Sequence, residues 1–407
     1  MHILLIHQAF AALDEAGGTR HHEMARHLVH QGHQVTILAS PVSYLTGKTR
    51  QLSVRWVERQ EDIPGLTILR AYTYAALHRS FVHRIFSFLS FMISSFLIGL
   101  SVRKVDLVWG TSPPIFQGVT AWLLARLKQV PFLFEVRDLW PAFAVAVGVL
   151  QNKTLIAASE WLERFLYRRA DRVVVNSPGF IDHVNQRGAR QVHLIPNGAD
   201  PDMFENIVTS SAFRQEHGFE KHFLVVYAGA HGMSNDLTII LQAADQLRQE
   251  KTIHFLLVGD GKEKNGLIEE AQSLHLANLT FIPPVAKLEM AEILSTADAG
   301  IAILKPIELY KTTYPNKVFD YMAAGCPVIL AIDGVIRQVV EEANAGIFVS
   351  PGQPRPMADA IRSLARDANQ CSAMGQAGKA YIRQHFDRAR LAADFANLLA
   401  EMRQTNG

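Results

Sequence analysis

A chain of 407 residues is long enough for two domains, and 49% hydrophobic residues against 19% charged residues let it bury two cores. Its 40 Lys and Arg balance 38 Asp and Glu, which leaves no global field, argues against bulk nucleic-acid binding and makes any anion site local. The two cysteines, Cys326 and Cys371, form no CxxC or Cys/His cluster, which points to a reducing compartment and to no structural metal. The opening residues His2–His7 read as an apolar strand running into a loop, without the basic region and long apolar core of a signal peptide. The expected location is cytoplasmic.

From there short apolar runs alternate with helical patterns, the signature of parallel βαβ units. Strands are predicted at His2–His7, Gln34–Ala39, Asp106–Trp109, Phe132–Val136 and Arg172–Asn176, with helices at Arg20–His30, Gln117–Leu127 and Thr154–Arg169. The last helix puts Leu155, Ala158, Leu162, Phe165 and Leu166 on one face, which marks it as packed. Phe86–Leu100 is uncharged and lies between His83-Arg84 and Arg103-Lys104. It is shorter than the ~20 residues that cross a bilayer, so a span is rejected. It reads either as a helix buried in the first domain or as an interfacial helix with its basic flanks on anionic headgroups.

A second set of strands follows at Phe223–Tyr227, His254–Val258, Thr280–Ile282, Gly300–Ile303, Val328–Leu330 and Gly346–Val349. The repeated pattern predicts a second doubly wound domain, so the fold class is α/β with two Rossmann-like domains. The turn-rich segment Ile195-Pro196-Asn197-Gly198-Ala199-Asp200 separates the sets, which divides the chain into 1–200 and 201–386.

Chemistry concentrates where predicted strands end. Gly17-Gly18-Thr19-Arg20 leads into a helix; the glycines admit a ligand close to the backbone, the helix N-terminus favours negative charge, and Arg20 is a candidate phosphate partner. The segment lacks the G-x-G-x-x-G spacing of a dinucleotide site. Glu135, Arg137 and Asp138 end a buried strand; Arg137 and Asp138 either orient reacting groups or pair with each other to hold the loop. Tyr227–Gly232 opens the second domain in the same manner, with His231 read as a loop residue. Val258-Gly259-Asp260-Gly261 forms a turn that either floors a nucleotide pocket or serves packing alone.

The richest stretch is Tyr314–Val328. It reads as a proline-started helix with Asn316 and Lys317 in its first turn, Asp320 one turn on, and a Gly325-Cys326-Pro327 turn into a strand. Free N–H groups and Lys317 suit an anion, and Asp320 can accept from a sugar hydroxyl. That combination is what a nucleotide diphosphate needs.

This stretch resembles the donor-binding pattern P-x-K-x-F-(E/D)-Y-M-A-x-G-x-P-V of the family 4 retaining glycosyltransferases of the GT-B fold. The segment E-V-R-D-L-W-P at 135–141, with Ser159–Arg164 and Asn176–Phe180, resembles a subgroup that builds bacterial surface polysaccharide and includes N-acetyl-L-fucosamine transferases. The resemblance covers nearly the whole chain. It implies two Rossmann-like domains facing a cleft, the first binding acceptor and the second donor, with the C-terminal helix near Asp387–Met402 crossing back to the first. Gly17, Gly18 and Arg20 would lie near the donor phosphates, Gly229 and Gly259 around the nucleotide, and Pro283-Pro284-Val285 along the base.

Many family members carry an Arg and a Lys after the first strand of the second domain; this chain has neither, which leaves Lys317, Lys311, Lys305 and Arg20 to supply positive charge. Of the family's paired acids, E-x7-E, Asp320 stands at the ribose-contacting position. Thr312 replaces the sugar-contacting acid, with the backbone amides of Thr312 and Thr313 as candidate substitutes. The implied reaction is front-face transfer with retention from a nucleotide sugar, with UDP the expected nucleotide and GDP open. No covalent nucleophile, cofactor or metal-bridged diphosphate is expected, and Arg137, Asp138 and Lys317 are the catalytic candidates. The acceptor would be polyprenyl-linked or an oligosaccharide, with residues 81–104 resting on the cytoplasmic membrane face. A nucleotide-sugar epimerase of the same architecture and a non-catalytic nucleotide-sugar-binding partner are the alternatives.

Overall fold

The computed structural model describes residues 1–44, 46–50, 55–75, 81–205 and 210–404. Its contacts divide the chain into two units, one of residues 1–12, 17–196 and 389–407, the other of residues 13–16 and 197–388.

The first unit is built on strands β1 (His2–His7), β2 (Gln34–Ala39), β3 (Val57–Ile63), β4 (Leu66–Ala71), β5 (Leu107–Ser112), β6 (Phe132–Val136), β7 (Arg172–Val175) and β8 (Val192–Leu194). They lie in the order β3-β4-β2-β1-β5-β6-β7-β8, parallel except for the antiparallel β3–β4 pair. β5 and β6 are buried throughout, as strands covered by helices on both faces must be. The sequence reading missed β3, β4 and β8. β3, Val-Glu-Arg-Gln-Glu-Asp-Ile, is a half-exposed edge strand with no apolar run, and β8 has only three residues.

The helix Lys153–Arg169 buries Glu163, Leu166 and Tyr167, while Leu155 and Ala158 on the expected face are exposed, so only its C-terminal half packs. The C-terminal helix Arg388–Gln404 buries Ala392, Phe395, Leu399 and Met402 at helical spacing, among Ile3, Leu5 and Trp109.

The apolar segment forms a longer helix than expected, Phe81–Ser101, of 21 residues. By length and composition its stretch Val82–Ser101 is sufficient to cross a membrane, which removes shortness as a ground for rejecting a span. One side of this helix is packed into the first unit: Phe91, Ser94, Ser95 and Ile98 are buried, and Gly99 sits against Leu124 and Leu38. A helix crossing a bilayer would have to give up that packing.

The second unit carries β9 (Phe223–Ala228), β10 (Ile253–Val258), β11 (Leu279–Ile282), β12 (Ala299–Ile303), β13 (Val328–Ala331) and β14 (Gly346–Phe348). Their order is β11-β10-β9-β12-β13-β14, all parallel. Separate cores cover its two faces, one around Val226, Val318 and Phe319, the other around Val225, Leu241 and Ile361. In such a doubly wound sheet the strand order reverses between β9 and β12, and ligands bind outside the carboxyl ends of the strands at that point.

Candidate functional site

The loops after β9 and β10 are stitched together through backbone. Gly229 N donates to Val258 O at 2.9 Å, His231 N to Asp260 O at 2.8 Å, and Glu263 N to His231 O at 2.9 Å. The approach is close enough to demand glycine: a Cβ on Gly259 would stand 1.9 Å from Gly229 O, and one on Gly261 2.4 Å from His231 O. Both have positive φ, 147° and 158°. These two loops form the floor of a cradle.

Lys317 rises beside it from the first turn of the helix Asn316–Ala324, whose N-cap is Pro315. Its Nζ lies 3.8 Å from the centroid of the Tyr227 ring and would be 3.0 Å from a Cβ on Gly229. Nζ is shielded from solvent and has no hydrogen-bond partner. Burial lowers this ammonium to about 7. A half-buried cation facing backbone glycines and an aromatic ring is suited to an anion.

The rest of the segment is held by its neighbours. Asn197 Nδ2 donates to Tyr314 O at 2.7 Å. The buried Arg388 donates to Gly198 O and, at 3.3 Å, to Asn316 Oδ1. Asn316 Nδ2 in turn donates to Asp320 Oδ2 at 3.1 Å. Asp320 Oδ2 also takes the Lys287 ammonium at 2.7 Å, a half-buried ion pair that the sequence pattern did not reveal. Lys287 stands two residues beyond Val285, which packs against the core.

Three expected participants turn elsewhere. Lys311 is paired with Glu308 at 2.8 Å and faces Asp333 at 3.9 Å, so its charge is already engaged at the surface. The 3-10 turn Glu308–Thr312 bends the chain back on itself: the Thr312 hydroxyl donates to Leu309 O, and Thr313 donates to Tyr310 O through both hydroxyl and amide. The Thr313 amide is therefore not available as a substitute for the missing acid. The chain holds an Asp-x-Asp, Asp200-Pro201-Asp202, so the expectation of a metal-free diphosphate cannot rest on the lack of that motif; Asp200 Oδ1 accepts from Asp202 N at 3.2 Å.

In the first unit, Glu135 at the end of β6 is the hub. It is fully buried and accepts from Arg20 Nε at 3.0 Å, His21 Nε2 at 2.7 Å and Trp109 Nε1 at 3.0 Å. Burial alone would raise its carboxyl, but His21 and Arg20 outweigh it and hold the group well below the usual carboxylate range. Burial lowers His21 to about 4 despite Glu135, so the imidazole is a neutral N–H donor. Arg20 also donates to Pro196 O at 2.6 Å and Ile195 O at 2.8 Å. With Nε, Nη1 and Nη2 each bonded inside the unit and 7% of the residue exposed, Arg20 braces Glu135 against the 195–196 backbone. Of the preceding glycines, Gly17 leaves no room for a Cβ, which would fall 2.8 Å from Ala11 Cβ, whereas Gly18 borders open space.

Arg137 is anchored to the end of β5, with Nε donating to Thr111 Oγ1 at 2.9 Å and Nη2 to Pro113 O at 2.8 Å. Among the described residues, no ion pair closes between it and Asp138. Asp138 stays accessible while protein atoms surround its carboxyl; that desolvation pushes it to about 6, with Arg137 pulling the other way. Beneath them His7 is fully buried, 4.2 Å from His21 ring to ring, with neither ring nitrogen hydrogen-bonded.

Residues 16–198 match the family model of the glycosyl transferase 4-like domain, and residues 209–381 match that of glycosyl transferases group 1. WcaI of Escherichia coli K12, described as a colanic acid biosynthesis glycosyl transferase, is 24% identical over 321 residues, 76% of this chain and 78% of that one. A sucrose-phosphate synthase structure from Thermosynechococcus elongatus superposes with a TM-score of 0.79 at 18% identity, covering 98% of each chain. HepE of Anabaena, solved with UDP and glucose, gives 0.72 at 16% identity over 98% of this chain and 100% of that one.

Proposed function

We propose that this chain, whose two parts match the glycosyl transferase 4-like and group 1 domain models and which has the GT-B fold, moves a sugar from a UDP-sugar to a lipid-linked or oligosaccharide acceptor in cell-surface polysaccharide biosynthesis. The observation that carries this reading is the Lys317 ammonium, stacked on Tyr227 and without a hydrogen-bond partner, beside the glycine cradle. It is placed to offset the charge that develops on a leaving diphosphate, the largest electrostatic demand of such a reaction. The colanic acid assignment of WcaI supports the polysaccharide setting, and the UDP and glucose bound to HepE support the nucleotide. An N-acetylamino sugar is the proposed donor moiety, on the resemblance of the 135–141 segment.

The proposed course is retention by front-face attack without a bridging metal, the Lys317 ammonium taking the metal's electrostatic role. The first unit takes the acceptor, with Arg137 fixed by Thr111 and Pro113 and Asp138 orienting the attacking hydroxyl. Residues 81–104 make the protein peripheral on the cytoplasmic membrane face. The support is an exposed apolar line, Val82, Phe86, Ile93, Leu97 and Leu100, with Arg84, Arg103 and Lys104 at its ends.

The test is donor turnover across UDP-, GDP- and dTDP-sugars, with and without membrane lipid extract and with and without EDTA. Release of UDP that depends on lipid and survives EDTA, with the product anomer matching the donor, is the expected result. Isomerised nucleotide sugar without acceptor would replace the transferase by an epimerase. Binding without turnover would leave a non-catalytic protein.

A further inference from the structure

Glycine-rich loops usually hold phosphate with their backbone N–H groups. In this cradle four of those donors are already committed. Gly229 N bonds Val258 O, His231 N bonds Asp260 O, Gly259 N bonds Ile282 O, and Gly261 N bonds Asp260 Oδ1. With those four spent, side chains have to supply part of the hold on an anion resting there.

Two side chains at the cradle are buried and unsatisfied. One is Lys317 Nζ. The other is His231, whose residue exposure is 0% and whose Nδ1 and Nε2 both lack hydrogen-bond partners. Its ring lies against the cradle floor, with Nε2 3.4 Å from where a Cβ on Gly259 would be, and with Tyr227 and Phe281 at 6.0 and 6.1 Å. Lys264, the other nearby cation, is spent on Gly259 O at 2.7 Å. Burial first, then Lys264 and Lys317, lower His231 to about 4, with Asp260 opposing. The imidazole is therefore neutral at physiological pH and always offers one N–H. Leaving that donor buried and unmade carries a desolvation cost that folding alone gives no reason to bear.

We propose that His231 is a diphosphate-binding residue, donating a ring N–H to a non-bridging oxygen of a nucleoside diphosphate whose charge Lys317 offsets. This rests on the transferase reading and deepens it. His231 lies after the first strand of this domain, where many members of the resembling family carry an Arg and a Lys. A neutral imidazole adds a directed hydrogen bond without a second full charge. The diphosphate is thereby held by one cation and one dipole.

The experiment uses the full chain and titrates UDP, GDP, UMP and uridine by calorimetry into wild type, His231→Phe and His231→Asn, with thermal unfolding of each. Phe fills the ring's space without the orphan donor, so His231→Phe is expected to unfold at or above the wild-type temperature while binding UDP at least about tenfold more weakly. Uridine binding is expected to be unchanged. His231→Asn, which keeps an N–H donor, is expected to recover UDP binding to within about threefold. Wild-type UDP affinity in His231→Phe would overturn the assignment, and so would an equal loss for uridine, which would make His231 a base contact. A wild-type protein that binds no nucleoside diphosphate would overturn the transferase reading itself, and this inference with it.

Discussion

On the proposed function, Lys317 faces opposite demands from folding and from ligand binding. Its folded value near 7 lies below that of a free lysine, about 10.4, so between those values the unfolded chain binds more protons. Stability contributed at this site is therefore lowest below about pH 7 and rises with pH through that window. A diphosphate requires the charged form, so its affinity runs the other way. UDP binding is expected to weaken as pH rises from 7 to 9 while the melting temperature of the unliganded protein rises, and Lys317→Met should flatten both slopes. The same substitution is expected to reduce kcat by about 100-fold or more without lowering the melting temperature. Wild-type turnover in that variant would remove Lys317 from the reaction. The sequence alone exposed Lys317 because a loop, a proline and a helix start all lie within a few residues. It did not expose the hub at Glu135, whose partner Arg20 is 115 residues away. Nor did it expose Lys287 beside Asp320, 33 residues apart, because nothing local marks one lysine of a helix start as the partner of one carboxylate.

At the scale of elements, the helix Phe81–Ser101 has two faces with different fates. One side is buried beneath Phe91, Ser94 and Ile98, and the other carries Phe86 at 57%, Ile93 at 56% and Leu97 at 48% exposure. Full burial of one such side chain is worth about 1.5–3 kcal/mol, so three half-exposed ones entering an acyl boundary add a contribution comparable to that of the basic flanks, about 1 kcal/mol per residue. Replacing Phe86, Ile93 and Leu97 together by Ser is expected to lower partitioning onto anionic phosphatidylglycerol vesicles at least about tenfold, with the protein still folded because the buried face with Phe91, Ser94, Ser95 and Ile98 is untouched. Unchanged sedimentation with vesicles would reject the membrane role. Composition defined this stretch as apolar, but which of its residues face outward depends on how the helix is rotated against Leu124 and Leu38, which only packing decides.

For the molecule as a whole, the C-terminal helix returns to complete the first unit's core, where Phe395 packs on Trp109 at 4.6 Å between ring centroids. Phe395→Ala is expected to destabilise that unit by about 3–5 kcal/mol, a fall on the order of 10 °C in its melting transition by calorimetry, since the cavity lies inside a closed core. A change of one or two degrees would mean the helix is dispensable. The α/β class, the strands of the second unit and the glycine turns at their ends were determined by sequence, because strand burial and turn geometry are local properties of a few consecutive residues. The hairpin β3–β4 was not, because a polar edge strand lacks that local signal. The assignment of donors was also left to tertiary structure. Arg20 and Lys317 look alike in the chain, each a cation at a helix start; burial against Glu135 makes one a brace, and burial without a partner leaves the other available to a ligand.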